Sequence, residues 1–305
     1  MAAMRGADAD SSRIIACAGE EMQRHLRAEL GPGLYVVSTP IGNLGDITLR
    51  ALTVLARADV VLCEDTRHSR TLLSHFAIGA PARPYHEHNA AKERPRVLAE
   101  LAAGKRVALI SDAGTPLVSD PGWKLVREAL DSGHRVEALP GASAALTALT
   151  LGGLPTDTFL FAGFLPAKSA GRRARIAELA QVPATLVLFE APSRVAETLG
   201  DLAAMLGARP AALARELTKL HEEVRRAPLD QLAAELEGQA VKGEAVILVG
   251  PPLQADVSDA DIATRLAAAL GDMSLRDAAK SVAEALGVPK SRVYDLGIKL
   301  RKETL

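Results

Sequence analysis

Three loops of Pro, Gly and small polar residues each follow a short apolar run that predicts a β-strand. They are STPIGN, SDAGTP and PGASA, and they contain Pro40, Asp112, Thr115, Ser143 and Ala144. Pro restricts its φ angle, and Gly adopts backbone conformations that other residues avoid. Such loops can therefore present backbone groups to a ligand in a defined curve. Because open α/β sheets bind ligands at the carboxyl ends of their strands, three such loops on one edge predict a ligand crevice. Each loop taken alone is explained as well by a structural turn, and Asp112 by helix capping.

Charged side chains near the ends of other predicted strands have the chemistry to bind phosphates or to transfer protons. They lie in the blocks EDTR, PAKSAGRRAR, EAPSR and ELTK, and include Arg67, Lys168, Arg172, Arg173, Glu190, Arg194, Glu216 and Lys219. The arginine run makes a positive patch suited to phosphates, and a solvated helix face also explains it. The EDTR block is equally consistent with capping of the following helix.

The elements that must position these residues alternate between short β-rich runs and longer helical ones. Predicted strands at residues 34–38, 60–63, 107–111 and 135–139 are separated by helices, which indicates a mainly parallel sheet. The segment GGLP at residues 152–155 has the composition of a linker, and further strands follow at residues 159–164, 185–189, 212–216 and 245–249. We therefore predict an α/β fold with two α/β domains, at residues 32–153 and 154–252, and a loose leader at residues 1–31.

The last segment, residues 256–305, predicts three short helices separated by tight turns. This spacing resembles a helix-turn-helix module, and five basic residues crowd its last helix. These residues are Lys290, Arg292, Lys299, Arg301 and Lys302. Nucleic-acid binding and a solvated helical appendage both remain open from the sequence.

Composition excludes several classes of protein. The 305 residues include 36 Lys and Arg against 37 Asp and Glu, so the overall charge gives no sign of a polyanionic partner. Cys17 and Cys63 are too few for a disulfide framework or a four-ligand zinc site, and we expect no metal and a cytoplasmic location. No apolar run reaches the roughly 18 residues of a membrane span, and no dinucleotide or nucleoside-triphosphate loop follows the first strand.

Eight blocks of the chain together resemble the RsmI family of bacterial ribosomal small-subunit methyltransferases, within the tetrapyrrole methylase superfamily. The blocks are STPIGNLGDIT, EDTR, SDAGTPLVSDPG, PGASA, FAGFLPAK, FEAPSR, RELTKLHEE and KGEAVILVG. They recur in order over about residues 33–250, and the tail resembles the helix-turn-helix extension of some members. The resemblance implies methylation of the 2′-hydroxyl of cytidine-1402 in 16S rRNA, with the small ribosomal subunit or its RNA as partner, and a homodimer.

The resemblance also implies S-adenosyl-L-methionine as cofactor, bound in the cleft between the two domains. Carried over block by block, the residues that would bind it in the first domain are Pro40, Asp112, Thr115, Ser143 and Ala144, and those in the second are Phe189 and Glu216. Tetrapyrrole-acting relatives usually carry a glycine-rich first loop. Its replacement here by Pro-Ile-Gly-Asn favours the RNA branch.

Methyl transfer to a ribose hydroxyl profits from a base, or from a positive charge beside the developing alkoxide. Lys168 and Glu190 are our candidates for these catalytic roles. The predicted ligands of RNA phosphates are Arg67, Arg172, Arg173, Arg194 and Lys219. Two other functions remain open: a tetrapyrrole (precorrin) or diphthine methyltransferase, and a non-catalytic nucleic-acid-binding regulator.

Overall fold

The computed structural model describes the backbone of residues 2–253 and 258–303, and the side chains of residues 10–253 and 258–300.

The first sheet has five parallel strands. The strands, which hydrogen-bond in the order β3-β2-β4-β1-β5, are β1 (Gly33–Val37), β2 (Val60–Cys63), β3 (Ala82–Pro84), β4 (Arg106–Ile110) and β5 (Val136–Leu139). All residues of β1 and β2 are buried because apolar clusters cover both faces of the sheet.

Six helices accompany this sheet. They are α1 (Ala2–Arg27), α2 (Leu49–Arg57), α3 (Thr66–His75), α4 (Glu87–Ala102), α5 (Trp123–Asp131) and α6 (Ala144–Gly152). Because β4, β1 and β5 are adjacent parallel strands, the residues that follow them lie at one edge of the sheet. The predicted parallel α/β arrangement is therefore confirmed.

The second sheet is mixed. Its strands are β6 (Phe159–Phe164), β7 (Thr185–Glu190), β8 (Pro210–Arg215), β9 (Glu223–Pro228) and β10 (Ala245–Val249), in the order β6-β7-β10-β8-β9. The pair β6 and β7 is parallel, and the other three pairs are antiparallel. The accompanying helices are α7 (Ser169–Leu179), α8 (Val195–Leu206) and α9 (Leu229–Leu236), which bury an aliphatic core against one face.

Helix α6 joins the two sheets. Its residues Ala145, Ala148 and Leu149 share an apolar cluster with Val187 and Leu248 of the second sheet. Residues 1–252 accordingly form one compact unit. The GGLP linker does lie between the sheets, and the division into two domains at residues 153 and 154 stays a prediction.

The predicted loose leader is wrong in one respect, because most of it is the helix α1. The Arg57 guanidinium of α2 donates hydrogen bonds to the carbonyl oxygens of His25 and Ala28 at the end of this segment. The loose leader was predicted because this segment has no continuous apolar run. An apolar run indicates that a segment is buried. It does not report on helix propensity, which Ala, Glu, Gln and Arg supply here.

The C-terminal segment forms a second compact unit, residues 253–305. Its helices are α10 (Asp259–Ala269), α11 (Leu275–Leu286) and α12 (Lys290–Glu303). Ser258 and Ser274 cap the first two helices, and Gly287 ends α11 in the left-handed conformation. Ile262, Leu266 and Val293 are fully buried in the core of this unit. The side chains of Arg301 and Lys302 lie outside the described residues.

None of the helices in the described part of the chain combines the length and apolar character needed to cross a bilayer. The described residues also include no group of three or more His, Cys, Asp or Glu side chains arranged to hold a metal ion. Cys63 is buried in the first sheet and Cys17 is exposed on α1; both are free thiols.

Candidate active site

A cavity of about 390 Å³ lies where the loops after β1, β4 and β5 meet the second sheet. Its size falls within the roughly 300 to 1,000 Å³ of small-molecule sites. Six of the residues singled out from the sequence line it: Asp112, Thr115, Ser143, Ala144, Phe189 and Glu190. The crevice expected from three loops on one sheet edge is therefore present. The assignment of these residues to a cofactor stays a prediction.

Hydrogen bonds fasten the three loops to one another. The backbone of Thr39 exchanges two hydrogen bonds with Gly114, at 2.9 and 3.1 Å. Ser38 Oγ donates to Thr115 Oγ1 at 3.2 Å, and Thr115 Oγ1 donates to the Ala142 carbonyl at 3.4 Å. The cavity wall is thus preorganised rather than assembled from independent turns.

Pro40 is buried in the first loop and is not among the residues that line the cavity. The next residue, Ile41, lines the wall instead. Because the Thr39–Gly114 bridge fixes the backbone just before Pro40, the proline serves to shape the loop. The predicted contact between Pro40 and the cofactor is not supported.

Glu216 does not line the cavity either. Its Oε1 accepts hydrogen bonds from Lys219 Nζ at 2.8 Å and from the Glu244 backbone N–H at 3.0 Å. Lys219 lowers the pKa of Glu216 through this bond, with help from the Glu244 amide. The neighbouring Leu217 is the residue of this loop that reaches the cavity. Glu216 therefore stabilises the loop through these hydrogen bonds instead of lining the cavity.

Two aromatic rings, those of Phe164 and Phe189, line one side of the cavity. Phe189 contacts Phe161 and Phe164 edge to face, with ring centroids 4.9 and 5.7 Å apart. Phe164 lines the cavity while 55% of its surface stays exposed. The two rings that line the cavity offer apolar surface to an aromatic ring of a ligand.

Glu190 lines the cavity, but its carboxylate is already saturated. It accepts hydrogen bonds from Thr198 Oγ1 at 2.6 Å and from the Ala191 amide at 2.8 Å, and it pairs with Arg194 at 3.1 Å. The side chain is fully buried. This geometry contradicts Glu190 as a free proton acceptor and makes it the partner that holds Arg194.

Two of the predicted phosphate ligands are engaged in ion pairs within the fold, and Arg172 is the more buried of the two. Arg172 is 2% exposed and pairs with Asp201 at 2.7 Å. Arg194 donates to the Leu165 carbonyl at 2.7 Å and pairs with Glu190. Their assignment to RNA phosphates is not supported, because each guanidinium already pairs with a carboxylate of the fold.

Lys219 is also engaged, between Glu216 at 2.8 Å and Glu244 at 3.1 Å. Burial lowers its pKa, but the hydrogen bonds to the two carboxylates outweigh burial and raise it. Lys219 therefore bridges two loops through these ion pairs and is not available as a phosphate ligand.

The other basic residues that the sequence suggested as phosphate ligands or catalytic groups are accessible. Arg67 is 89% exposed and Arg173 is 54% exposed, with only long contacts to Asp65 and Asp201 at 3.4 and 3.9 Å. Lys168 is exposed where α7 begins, and it is not among the cavity-lining residues. These three side chains are free to meet a polyanion.

Two aspartates are among the acidic residues that line the cavity. Asp112 Oδ1 accepts a hydrogen bond from the Asp65 backbone N–H at 3.1 Å. Burial, together with the charges of Glu64 and Asp112, raises the pKa of Asp120 to about 6. Asp120 stands in the block SDAGTPLVSDPG, but sequence reasoning gave it no role, because burial of a loop carboxylate is not visible in the sequence.

Asp120 lies in a strained loop. Leu117 and Ser119 have positive φ angles of 74° and 63°, a conformation that costs free energy in residues other than Gly. Gly122, at φ 129°, could not carry a side chain, since its Cβ would lie 2.7 Å from Leu117 and 2.8 Å from Leu109. Strain of this kind persists where the surrounding structure enforces it, often at functional sites.

Comparison with known proteins assigns the chain to a family. The model for tetrapyrrole (corrin/porphyrin) methylases matches residues 33–233, and that for the RsmI C-terminal HTH domain matches residues 256–301. The ribosomal RNA small subunit methyltransferase I of Mesorhizobium japonicum is 51% identical over 274 residues, which cover 89% of this chain and 93% of that protein. This chain belongs to the ribosomal RNA small subunit methyltransferase I family. The family member of Escherichia coli O157:H7 is 44% identical, over 91% of this chain and 99% of its own length.

Solved structures of other proteins share the fold of this chain. A uroporphyrin-III C-methyltransferase from Thermus thermophilus is 27% identical, with a TM-score of 0.53 over 72% of this chain and 94% of its own. A diphthine synthase has a TM-score of 0.56 at 17% identity, over 71% of this chain and 89% of its own. The resemblance to the RsmI family predicted from eight sequence blocks is confirmed, and so is the fold.

Proposed function

We propose that this protein transfers a methyl group from S-adenosylmethionine to the ribose 2′-hydroxyl of a cytidine in the 16S rRNA of the small ribosomal subunit. The observation that carries the proposal is membership of the ribosomal RNA small subunit methyltransferase I family over nearly the whole chain. The position, cytidine-1402, follows from the sequence resemblance. The cavity at the sheet edge supplies a site of suitable size and chemistry.

The residues of the cavity fit the methyl donor. Ile41, Leu217 and Phe189 provide apolar walls for the adenine ring, while the carboxylate of Asp112 can accept hydrogen bonds from ribose hydroxyls or an ammonium group. Ser143 begins α6, whose N-terminal backbone amides favour a carboxylate. When bound, the donor supplies an electrophilic methyl group on a sulfonium sulfur.

The accessible cations fit the substrate. Arg67, Arg173 and Lys168 can pair with RNA phosphates, which supply most of the sequence-independent affinity of such complexes. Phe164, exposed at the cavity wall, can stack with an unpaired base. The catalytic role predicted for Lys168 is not supported, because Lys168 does not line the cavity. The homodimer implied by the resemblance stays a prediction, which light scattering of the purified chain would check.

Labelled methyl transfer distinguishes the proposed substrate from those of other enzymes that share the fold. Purified protein with methyl-labelled S-adenosylmethionine should label small ribosomal subunits or 16S rRNA, and leave a precorrin and uroporphyrinogen III unlabelled. Label in a tetrapyrrole with none in RNA would favour the tetrapyrrole branch. Failure to bind S-adenosylmethionine in calorimetry would favour a non-catalytic RNA-binding protein.

A further inference from the structure

Four carboxylates line the cavity, and three of them are engaged. Asp112 accepts from the Asp65 amide, Glu190 holds Arg194, and Glu244 pairs with Lys219. Within the described part of the chain, no hydrogen bond or ion pair to the fourth, Asp120, is found. Its oxygens are therefore available to a molecule in the cavity.

Close contacts on both sides fix the backbone around Asp120. Ser119, with its positive φ, lies against β6, where a Cβ on Gly163 would come within 3.2 Å of Ser119 Oγ. On the other side, Gly122 packs against Leu109 of β4. A side chain on a loop fixed at both ends is positioned more exactly than one on a free loop, and exact positioning is what proton transfer requires.

We propose that the Asp120 carboxylate accepts the proton of the attacking ribose hydroxyl, an inference that rests on the proposed function. The ribose oxygen forms a bond to the methyl carbon while the carbon–sulfur bond breaks and its electron pair stays on the sulfur. The hydroxyl proton passes to Asp120 and from there to water. The products are the methylated ribose, S-adenosylhomocysteine and one proton.

The charges around Asp120 suit this role. Glu64 follows β2 and Asp112 follows β4, and both act with burial to raise the pKa of Asp120 to about 6. On the side of the second sheet, Arg194 pairs with Glu190 and Lys219 pairs with Glu244. A base with a pKa slightly below neutral is mostly ionised at pH 7 and remains more basic than an ordinary aspartate.

The replacement Asp120→Asn tests the inference, because Asn keeps the shape and cannot accept the proton as a carboxylate does. We expect kcat on small subunits to fall roughly 100-fold or more, the usual size of a general-base contribution. Calorimetric affinity for S-adenosylhomocysteine and filter-binding affinity for RNA should stay within about twofold. Asp157→Asn is the matched control: Asp157 is exposed on the loop before β6, and the variant should keep wild-type activity.

The pH dependence gives a second readout. The single-turnover rate of the wild type should rise with pH and reach half its maximum near pH 6. In Glu64→Gln one of the two negative charges that raise the pKa of Asp120 is lost, so the midpoint should move to lower pH. An unmoved midpoint would overturn the inference.

The outcomes separate this inference from the proposed function. A wild type that labels no RNA overturns the proposed function and the inference with it. An active wild type beside an equally active Asp120→Asn variant overturns the inference alone. Loss of S-adenosylhomocysteine affinity in proportion to kcat would make Asp120 a ligand of the donor, and would also overturn it.

Discussion

Asp112 is the lining residue whose replacement tests the donor site most simply. Its carboxylate faces the cavity and accepts one backbone hydrogen bond, from Asp65. In Asp112→Ala, affinity for S-adenosylhomocysteine should fall by about 1.5 to 3 kcal/mol, the worth of one hydrogen bond to a charged group. Calorimetry measures this, with Asp157→Asn as control. Unchanged affinity would remove Asp112 from the site.

The unusual environment of Asp120 also predicts a cost in stability. Its folded-state pKa of about 6 lies above the ordinary 3.8, so the folded protein loses stability as pH rises between these values. Asp120→Asn removes the buried charge and should therefore raise the midpoint of thermal unfolding at pH 8. At pH 5 the gain should be smaller, because part of the wild-type population is protonated. A larger gain at pH 5 than at pH 8 would contradict the assigned environment.

Adjacent arginines on α7 should have opposite roles. Breaking the Arg172–Asp201 pair by Arg172→Ala should lower the free energy of unfolding by about 3 kcal/mol, because a buried charge loses its partner. Arg173→Ala should change it by less than about 0.5 kcal/mol, as expected for a surface residue, and should weaken RNA binding instead. Urea unfolding and filter binding measure the two effects. Equal loss of stability in both variants would refute the distinction.

The sequence does contain a pattern that distinguishes Arg172 from Arg173, although the two residues are adjacent in one run of arginines. Arg172, Ile176 and Leu179 follow helical spacing and are the buried residues of α7. Arg173 falls outside this stripe. Asp201, the partner of Arg172, lies on another helix, and such a pairing across 29 positions is not visible in a single sequence.

At the scale of elements, the cavity depends on close contact between the first loop and the loop after β8. A Cβ on Gly42 would overlap Lys219 Cγ and lie 2.9 Å from Thr218 Oγ1. Gly42→Ala should therefore cost about 1 to 3 kcal/mol of stability and weaken S-adenosylhomocysteine binding several-fold, since the flanking Ile41 and Leu217 line the cavity.

A second glycine provides the control for this contact. Gly79→Ala adds the same methyl group where nothing lies within 4 Å, so stability and binding should change little. Denaturant unfolding and calorimetry on both variants separate the contact from a general effect of alanine. Equal stability and equal binding in the two variants would show that the two loops do not depend on this close contact.

The sequence predicted elements well where local chemistry decides them. The loops after β1, β4 and β5 meet as expected, because parallel strands end at one edge. The apolar spacing of residues 118–132 predicts a helix over this whole range, but α5 begins only at Trp123. The left-handed residues 117 and 119 and the Pro121-Gly122 pair prevent an earlier start. Strand β9 has few apolar residues and gave no strand signal.

At the scale of the whole molecule, the chain consists of a catalytic unit ending at Pro252 and a helical unit after it. A chain ending at Pro252 should keep affinity for S-adenosylhomocysteine, because every residue that lines the cavity precedes that point. Its affinity for RNA should fall, since α12 carries Lys290 and Lys299. Calorimetry and filter binding check this. An equal loss of both affinities would instead make the helical unit a structural support.

The most direct test of the account is the chemical identity of the methylated nucleoside. Small subunits treated with purified protein and S-adenosylmethionine are digested to nucleosides and analysed by mass spectrometry, beside Asp120→Asn and Asp157→Asn. We expect one new 2′-O-methylcytidine per 16S rRNA with the wild type and Asp157→Asn, and a strongly reduced amount with Asp120→Asn. A methyl group on a base, or no new methylated nucleoside, would contradict the account.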